Sequence, residues 1–225
     1  PDLLPSKQGY NRFTWDFRRD GLPSIDKVFL FGGHEGSAVG PGAYTLRLST
    51  ENASSETSVN ILPNPKVKGS MADYKEQQEM LTTIEETVRT MHTAVNAMRS
   101  AKSQLKQYSE LLKNNEEASE LVKKGDSLMK RITVWEENLI QPKQKTFQDV
   151  INFTNKLNAQ LLHLRGYVAS VEPKLTAGSK ERLQDLLQQW QGYKATHDTI
   201  INEEMTDFNT LFKALDIPAI ILTKE

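Results

Sequence analysis

The stretch Leu81-Thr82-Thr83-Ile84-Glu85-Glu86-Thr87-Val88-Arg89-Thr90-Met91-His92-Thr93-Ala94-Val95-Asn96-Ala97-Met98 decides how most of the chain folds. Its apolar residues, Leu81, Ile84, Val88, Met91, Val95 and Met98, fall at alternating spacings of three and four. That is a heptad seam, the pattern of a helix packed with a left-handed twist against its neighbours. The seam runs on to Leu105 and Leu112, with Lys102 and Ser109 filling the two skipped positions. Upstream, Ser70 followed by Asp73 reads as a capping start in which Asp replaces the usual Glu or Gln, and Asn114-Asn115 reads as the stop. The spacing predicts a helix over about 72–113, on the order of 60 Å long.

The same grammar continues downstream. A second helix, about 116–141, carries Leu121, Leu128, Ile132, Trp135 and Leu139 and ends at Pro142, with Gly125 on the seam as a mark of close approach by a neighbour. A third is predicted to carry Val150, Phe153, Leu157, Leu161, Leu164, Val168 and Val171 and to stop at Pro173. A fourth, about 179–215, carries Leu183, Leu187, Trp190, Ile201, Phe208, Leu211 and Leu215. Short connections predict an up-down-up-down four-helix bundle with long first and fourth helices. The excess length of those two is expected to pack on the region before residue 70, because an unsupported seam would face water. The apolar tail Ile217-Pro218-Ala219-Ile220-Ile221-Leu222 is expected to dock at the bundle end beside that region.

Before residue 70 the period changes to two. Tyr10-Asn11-Arg12-Phe13-Thr14-Trp15-Asp16-Phe17 alternates aromatic and polar residues, Lys27-Val28-Phe29-Leu30-Phe31 is a short apolar run, and both read as strands. The turn Gly40-Pro41-Gly42 feeds Ala43-Tyr44-Thr45-Leu46-Arg47-Leu48-Ser49, whose hairpin partner is Thr57-Ser58-Val59-Asn60-Ile61-Leu62. Four strands fall short of the roughly seven of an immunoglobulin-like sandwich, so a partial sandwich is expected, its missing strands upstream of Pro1. Starting at Pro1 with neither a Met nor a leader, the chain reads as a piece of something larger. The expected organisation is α+β in two domains: 1–69, a partial Ig-like antiparallel β domain, and 70–225, the helical bundle.

Composition narrows the function classes. In 225 residues, 28 Lys and Arg face 29 Asp and Glu, a balance that argues against a nucleic-acid partner. Cys is absent, which excludes disulfides, thiolate metal sites and cysteine nucleophiles. No apolar run approaches the roughly 18 residues of a membrane span.

Motif chemistry is sparse. His34-Glu35 has no second His at zincin spacing, and His92, His163 and His197 have no Glu three residues before them, so no metal set is expected. His197 falls on the fourth seam between Lys194 and Glu204, which reads as a partly wet seam or, more sharply, as a buried polar layer. Glu203, Glu204 and Asp207 cluster one turn apart and read as a solvated face, the alternative being an acid pair for catalysis. Gly32-Gly33-His34-Glu35-Gly36 lacks the spacing of a phosphate-binding loop, and Asn52 and Asn152 head two short glycosylation-type matches. No catalytic, cofactor-binding or metal residue is assigned, and no cofactor is expected.

Several segments together carry a resemblance: 9–18 (Gly-Tyr-Asn-Arg-Phe-Thr-Trp-Asp-Phe-Arg), 40–48 (Gly-Pro-Gly-Ala-Tyr-Thr-Leu-Arg-Leu), Leu62-Pro63-Asn64-Pro65, and the helical segment 140–161. In this order they resemble the Ig-like module and helical tail of large bacterial proteins with sortilin-type or neuraminidase-repeat β-propellers, often labelled glycosyl hydrolases. The resemblance implies an exported protein, periplasmic, cell-surface or secreted, whose propeller lies upstream as the natural partner of this region. It implies a non-catalytic C-terminal accessory region serving interdomain packing or partner binding; self-association through the exposed ends of the long helices is a further reading, taken from the helix lengths. The alternative is one wall of a glycoside hydrolase-like active site supplied by the loop from Gly32 to Gly40, which requires His34, Glu35 and Arg18 to converge on one cleft.

Overall fold

In the computed structural model, residues 4–30 and 32–217 are described. Helix α1 spans Met71–Leu112. It starts where expected because Ser70 Oγ accepts the Asp73 N–H at 3.1 Å and Asp73 Oδ2 accepts the Ser70 N–H at 2.8 Å, a closed capping box with Asp in the acidic role. All eight seam residues from Leu81 to Leu112 are buried. Each such side chain contributes about 1.5–3 kcal/mol.

Helix α2, Ser119–Leu139, follows a 3₁₀ turn at Glu116–Ala118 whose N–H groups are accepted by the Asn115 side chain. It returns along the C-terminal half of α1: Ser109 meets Asp126 at 3.3 Å, and Arg99 Nε donates to Glu136 Oε1 at 2.7 Å. Gly125 marks the expected close approach, since a Cβ there would lie 3.3 Å from Phe208 and 3.4 Å from Ser109. Helix α3, Leu157–Val168, continues in the same direction along the N-terminal half of α1. Asn158 lies beside His92, Arg165 beside Glu85, and Gln77 Nε2 donates to the Val168 carbonyl at 2.8 Å. The last rod comprises α4 (Ala177–Thr199), a π-helical turn (Ile200–Met205) and α5 (Thr206–Ala214). It runs parallel to α1, from the Lys180–Glu76 ion pair, past Trp135 donating to the Tyr193 carbonyl at 2.8 Å, to Tyr108 against Phe212 with ring centres 4.9 Å apart.

The molecule is therefore α+β with four long helical rods, but α2 and α3 lie end to end. A section across the bundle cuts three rods, not four. The physical reason is residues 140–156, too long for a tight reversal and ordered in their own right. Asp149 accepts the N–H groups of Lys145 and Thr146, and the buried Gln144 donates to the Phe153 carbonyl and the Asn155 side chain. Phe147–Ile151 forms a 3₁₀ turn with Ile151 exposed, so α3 begins seven residues after Val150, and Val171 is exposed beyond its end. The extra length of α1 and the last rod is covered by α2 and α3 in series, and part of the region before residue 70 packs on α1 as well, with Leu22 and Ile25 in the same core.

The π-helical turn explains the altered phase of the last rod. Trp190, Tyr193, His197 and Ile200 keep the three-four rhythm, the next inward residue is Met205, five positions on, and Phe208 follows. Ile200 is buried, and Ile201, the residue expected on the seam, is exposed; the extra residue then brings Met205 and Phe208 back inward. Residues 218–222 lie outside the described residues. The rod that leads to them ends beside Tyr108, at the opposite end of α1 from the β hairpin.

Among the described residues the sheet is a single pair, β1 (Gly42–Ser49) and β2 (Ser54–Ile61), in antiparallel register from Gly42 opposite Ile61 to Ser49 opposite Ser54. The predicted hairpin is present, while the strands predicted at 10–17 and 27–31 are not, and no sandwich is formed by the described residues. Phe17 adopts a left-handed φ of 59°, with Asp16 accepting the Arg18 N–H and Trp15 Nε1 donating to the Arg18 carbonyl, which curls the chain out of extension. Lys27 (φ 57°), at the start of the second run, is also left-handed, as are Gly32 and Gly33 just beyond it; Phe31 lies outside the described residues.

Candidate functional site

Residues 17–30 and 32–39 form an irregular two-limbed strap laid on the bundle. Its limbs are tied by Val39 N–H to the Phe17 carbonyl (2.8 Å), Arg19 N–H to Ser37 (3.1 Å) and Leu22 N–H to His34 (2.6 Å). Gly36 sits where the limbs meet: a Cβ there would lie 2.3 Å from the Arg19 carbonyl oxygen. Leu22 and Ile25 point inward and join the same apolar core as the α1 seam.

The helix receives this strap with a second, polar stripe. Gln78, Thr82, Glu85, Arg89, His92, Asn96 and Arg99 repeat every four and three residues, the rhythm of the apolar seam, and each one bonds the strap. Gln78 and Thr82 accept from Arg19 at 2.5 and 2.6 Å. Arg89, Asn96 and Arg99 donate to the carbonyls of Asp20, Ser24 and Asp26. His92 Nδ1 donates to the Pro23 carbonyl at 2.7 Å, which leaves Nε2 to accept from Asn158 at 3.4 Å and defines a neutral ring. Burial lowers the His92 pKa from 6.5 to about 4.

Glu85 is the charged centre of the stripe. Its Oε1 accepts the Ser37 N–H at 2.6 Å and lies 3.9 Å from Arg165, and its Oε2 lies 3.3 Å from Arg19. Arg165 enters from α3 and also donates to the Glu35 and Gly32 carbonyls at 2.6 and 2.9 Å. Burial pulls its pKa down and Glu85 opposes that shift.

Beside this cluster, between the returning limb, α1 and α3, opens a cleft of about 420 Å³. Arg18, Glu35, Ser37, Gln77, Gln78 and Arg165 line it. The convergence demanded by the wall-of-an-active-site alternative is met by two residues of three. Arg18 and Glu35 share the cleft, with Arg18 Nη1 4.0 Å from Glu35 Oε2. His34 is turned away from it, toward His92, with ring centres 6.0 Å apart and its Nδ1 buried without a partner among the described residues. Desolvation lowers its pKa as well.

The other singled-out residues lie elsewhere. His197 rests on Trp135 (5.4 Å between ring centres) and contacts Asp198 on its own helix, while Lys194 is exposed. Glu204 pairs with Arg131 and Asp207 with Lys124, so two of the three clustered acids hold the last rod to α2. His163 is exposed on α3. Among the described residues no group of three or more His, Asp or Glu is placed to hold a metal ion. No helix there is long and apolar enough to cross a membrane.

Sequence reasoning missed Glu85, Arg165 and the whole polar stripe. Spacing alone does not single it out: polar residues at 78, 82, 85, 89, 92, 96 and 99 repeat in step with the apolar seam, but so do Glu79, Thr83, Glu86, Thr90, Thr93 and Ser100 on the side that faces water. Comparison with known proteins finds no match, whether among protein-family models, curated proteins or solved structures.

Proposed function

We propose that this chain is the C-terminal accessory region of an exported β-propeller protein and serves interdomain packing or partner binding, without a catalytic centre of its own. The observation that carries this reading is the hairpin and its approach. Tyr10, Phe13, Phe17, Leu46, Leu48 and Leu62 are all exposed, before, on and just after a two-stranded sheet whose edges are both free among the described residues. A lone two-stranded hairpin is marginal in water and gains stability from further strands or a covering surface. An apolar hairpin mounted on a helical rod about 60 Å long suits a module that docks against a neighbour. On this reading the hairpin belongs to an Ig-like sheet completed by the parent protein, and the strap keeps it at a set angle to the bundle.

The second reading rests on one observation, the shared cleft of Arg18 and Glu35. It assigns the strap to the wall of a glycoside hydrolase-like site. Glycosidase and carbohydrate-binding assays on the parent, on this chain and on a parent lacking residues 1–225 separate the two. Full activity in a folded truncated parent, with no glycan bound by this chain, supports the accessory role. Loss of activity from a truncated parent that still folds, or glycan binding by this chain, overturns it.

A further inference from the structure

The charge around the strap does not balance inside the protein. Two guanidiniums, Arg19 and Arg165, share the single buried carboxylate of Glu85, and the Arg165 side chain is only 9% exposed. Glu35, the other acid near Arg165, and Asp16, which lies 3.9 Å from Arg18, have side chains 79% and 69% exposed, so water screens most of their compensation. One net positive charge therefore faces the cleft from a poorly solvated position, where an uncompensated ion is costly. On the same wall the Ser37 hydroxyl is buried and has no hydrogen-bond partner among the described residues. Leu81, Val39 and Ala169 add apolar surface, and the volume suits a small organic molecule.

We propose that this cleft binds a small organic monocarboxylate, with its carboxylate held by the Arg18 and Arg165 guanidiniums and the Ser37 hydroxyl, and its apolar part against Leu81 and Val39. One negative charge cancels the excess. A dianion overshoots it and meets the carboxylate of Glu35 on the rim. Glu35 competes for Arg18, so it sets the affinity as a built-in rival of the ligand. The inference goes beyond the accessory role and does not depend on it.

The test is calorimetric titration of the whole chain with N-acetyl-L-alanine, with its uncharged amide and with inorganic phosphate, repeated on Arg18→Gln and Glu35→Gln. Arg18 and Glu35 side chains are 45% and 79% exposed, so both variants are expected to keep the fold, which circular dichroism checks. The expected result is binding of the carboxylate about tenfold or more over the amide, weakened by roughly tenfold in Arg18→Gln and tightened in Glu35→Gln. Equal binding of acid and amide, tighter binding of phosphate, or no carboxylate binding in either the parent chain or Glu35→Gln overturns the proposal. Should Arg18→Gln unfold, the direction of change in Glu35→Gln decides alone.

Discussion

Glu85 on α1 accepts the main-chain N–H of Ser37 at 2.6 Å, so a carboxylate on a helix fixes the returning limb of a non-helical strap. The same carboxylate is the common counter-ion of Arg19 and Arg165. Replacing Glu85 with Ala leaves both cations and one amide without it. The expected loss is about 3–5 kcal/mol of unfolding free energy, measured by urea titration. Arg47→Ala, which breaks the exposed hairpin pair with Glu56, is expected to cost at most about 1 kcal/mol. Similar costs for both variants would mean that the strap is not anchored through Glu85.

Acid should loosen the strap before it melts the helices. His92 stays neutral in the folded chain down to about pH 4, whereas in the unfolded chain it titrates near 6.5. Its depressed pKa contributes stability that is full above about pH 6.5 and is lost as pH falls through about 4. The loss is on the order of 3 kcal/mol over that window, and the half-buried His34 ring adds in the same direction. Urea titrations across the window should show this slope, and His92→Gln should flatten it. An unchanged slope in the variant would place the acid sensitivity elsewhere.

Two glycines in helices should respond in opposite ways. Gly125 faces Phe208 and Ser109 at 3.3 and 3.4 Å from where a Cβ would sit, so Gly125→Val is expected to cost about 1–3 kcal/mol by overpacking. Gly192 in α4 has open space there, and Gly192→Ala is expected to add about 0.5–1 kcal/mol. Thermal melts of the two variants check the pair, and shifts of the same sign would contradict the packing described.

The π-helical turn makes a prediction about length. Deleting the exposed Asn202 converts the five-residue step from Ile200 to Met205 into an ordinary four-residue step, which keeps Phe208 and Phe212 facing inward. Deleting the exposed Gln189 in the regular part of α4 instead rotates everything beyond it by about 100° and turns the seam out. Helical circular dichroism with melting should show the first deletion tolerated and the second strongly destabilising. Equal damage from both would mean that the extra residue has a role besides phase.

The apolar half of this architecture was legible in the sequence. Leu81 to Leu112, Leu121 to Leu139 and Leu157 to Val168 were placed by spacing alone, because burial of an apolar stripe is a local, periodic demand. What spacing could not convey was whether α3 reversed or continued the direction of α2. That depends on the Gln144 and Asp149 side chains, which hold the connection open. The aromatic alternation at 10–17 misled, since period two reports two-faced extension only when a ladder partner exists and Phe17 is not left-handed. The cleft was partly legible: Arg18 and Glu35 were named, but Arg165 lies 130 residues from Glu35 and joins it only because α3 runs back along α1.

The way α1 holds the strap sets which positions are open to change. Arg89, His92, Asn96 and Arg99 take hold of the carbonyl oxygens of Asp20, Pro23, Ser24 and Asp26, a feature that every amino acid possesses. The side chains of Asp20, Ser24 and Asp26 face water. The outer surface of the strap is thus a writable strip: its lettering can be replaced for labelling, cross-linking or a new binding epitope while the grip beneath reads only the main chain.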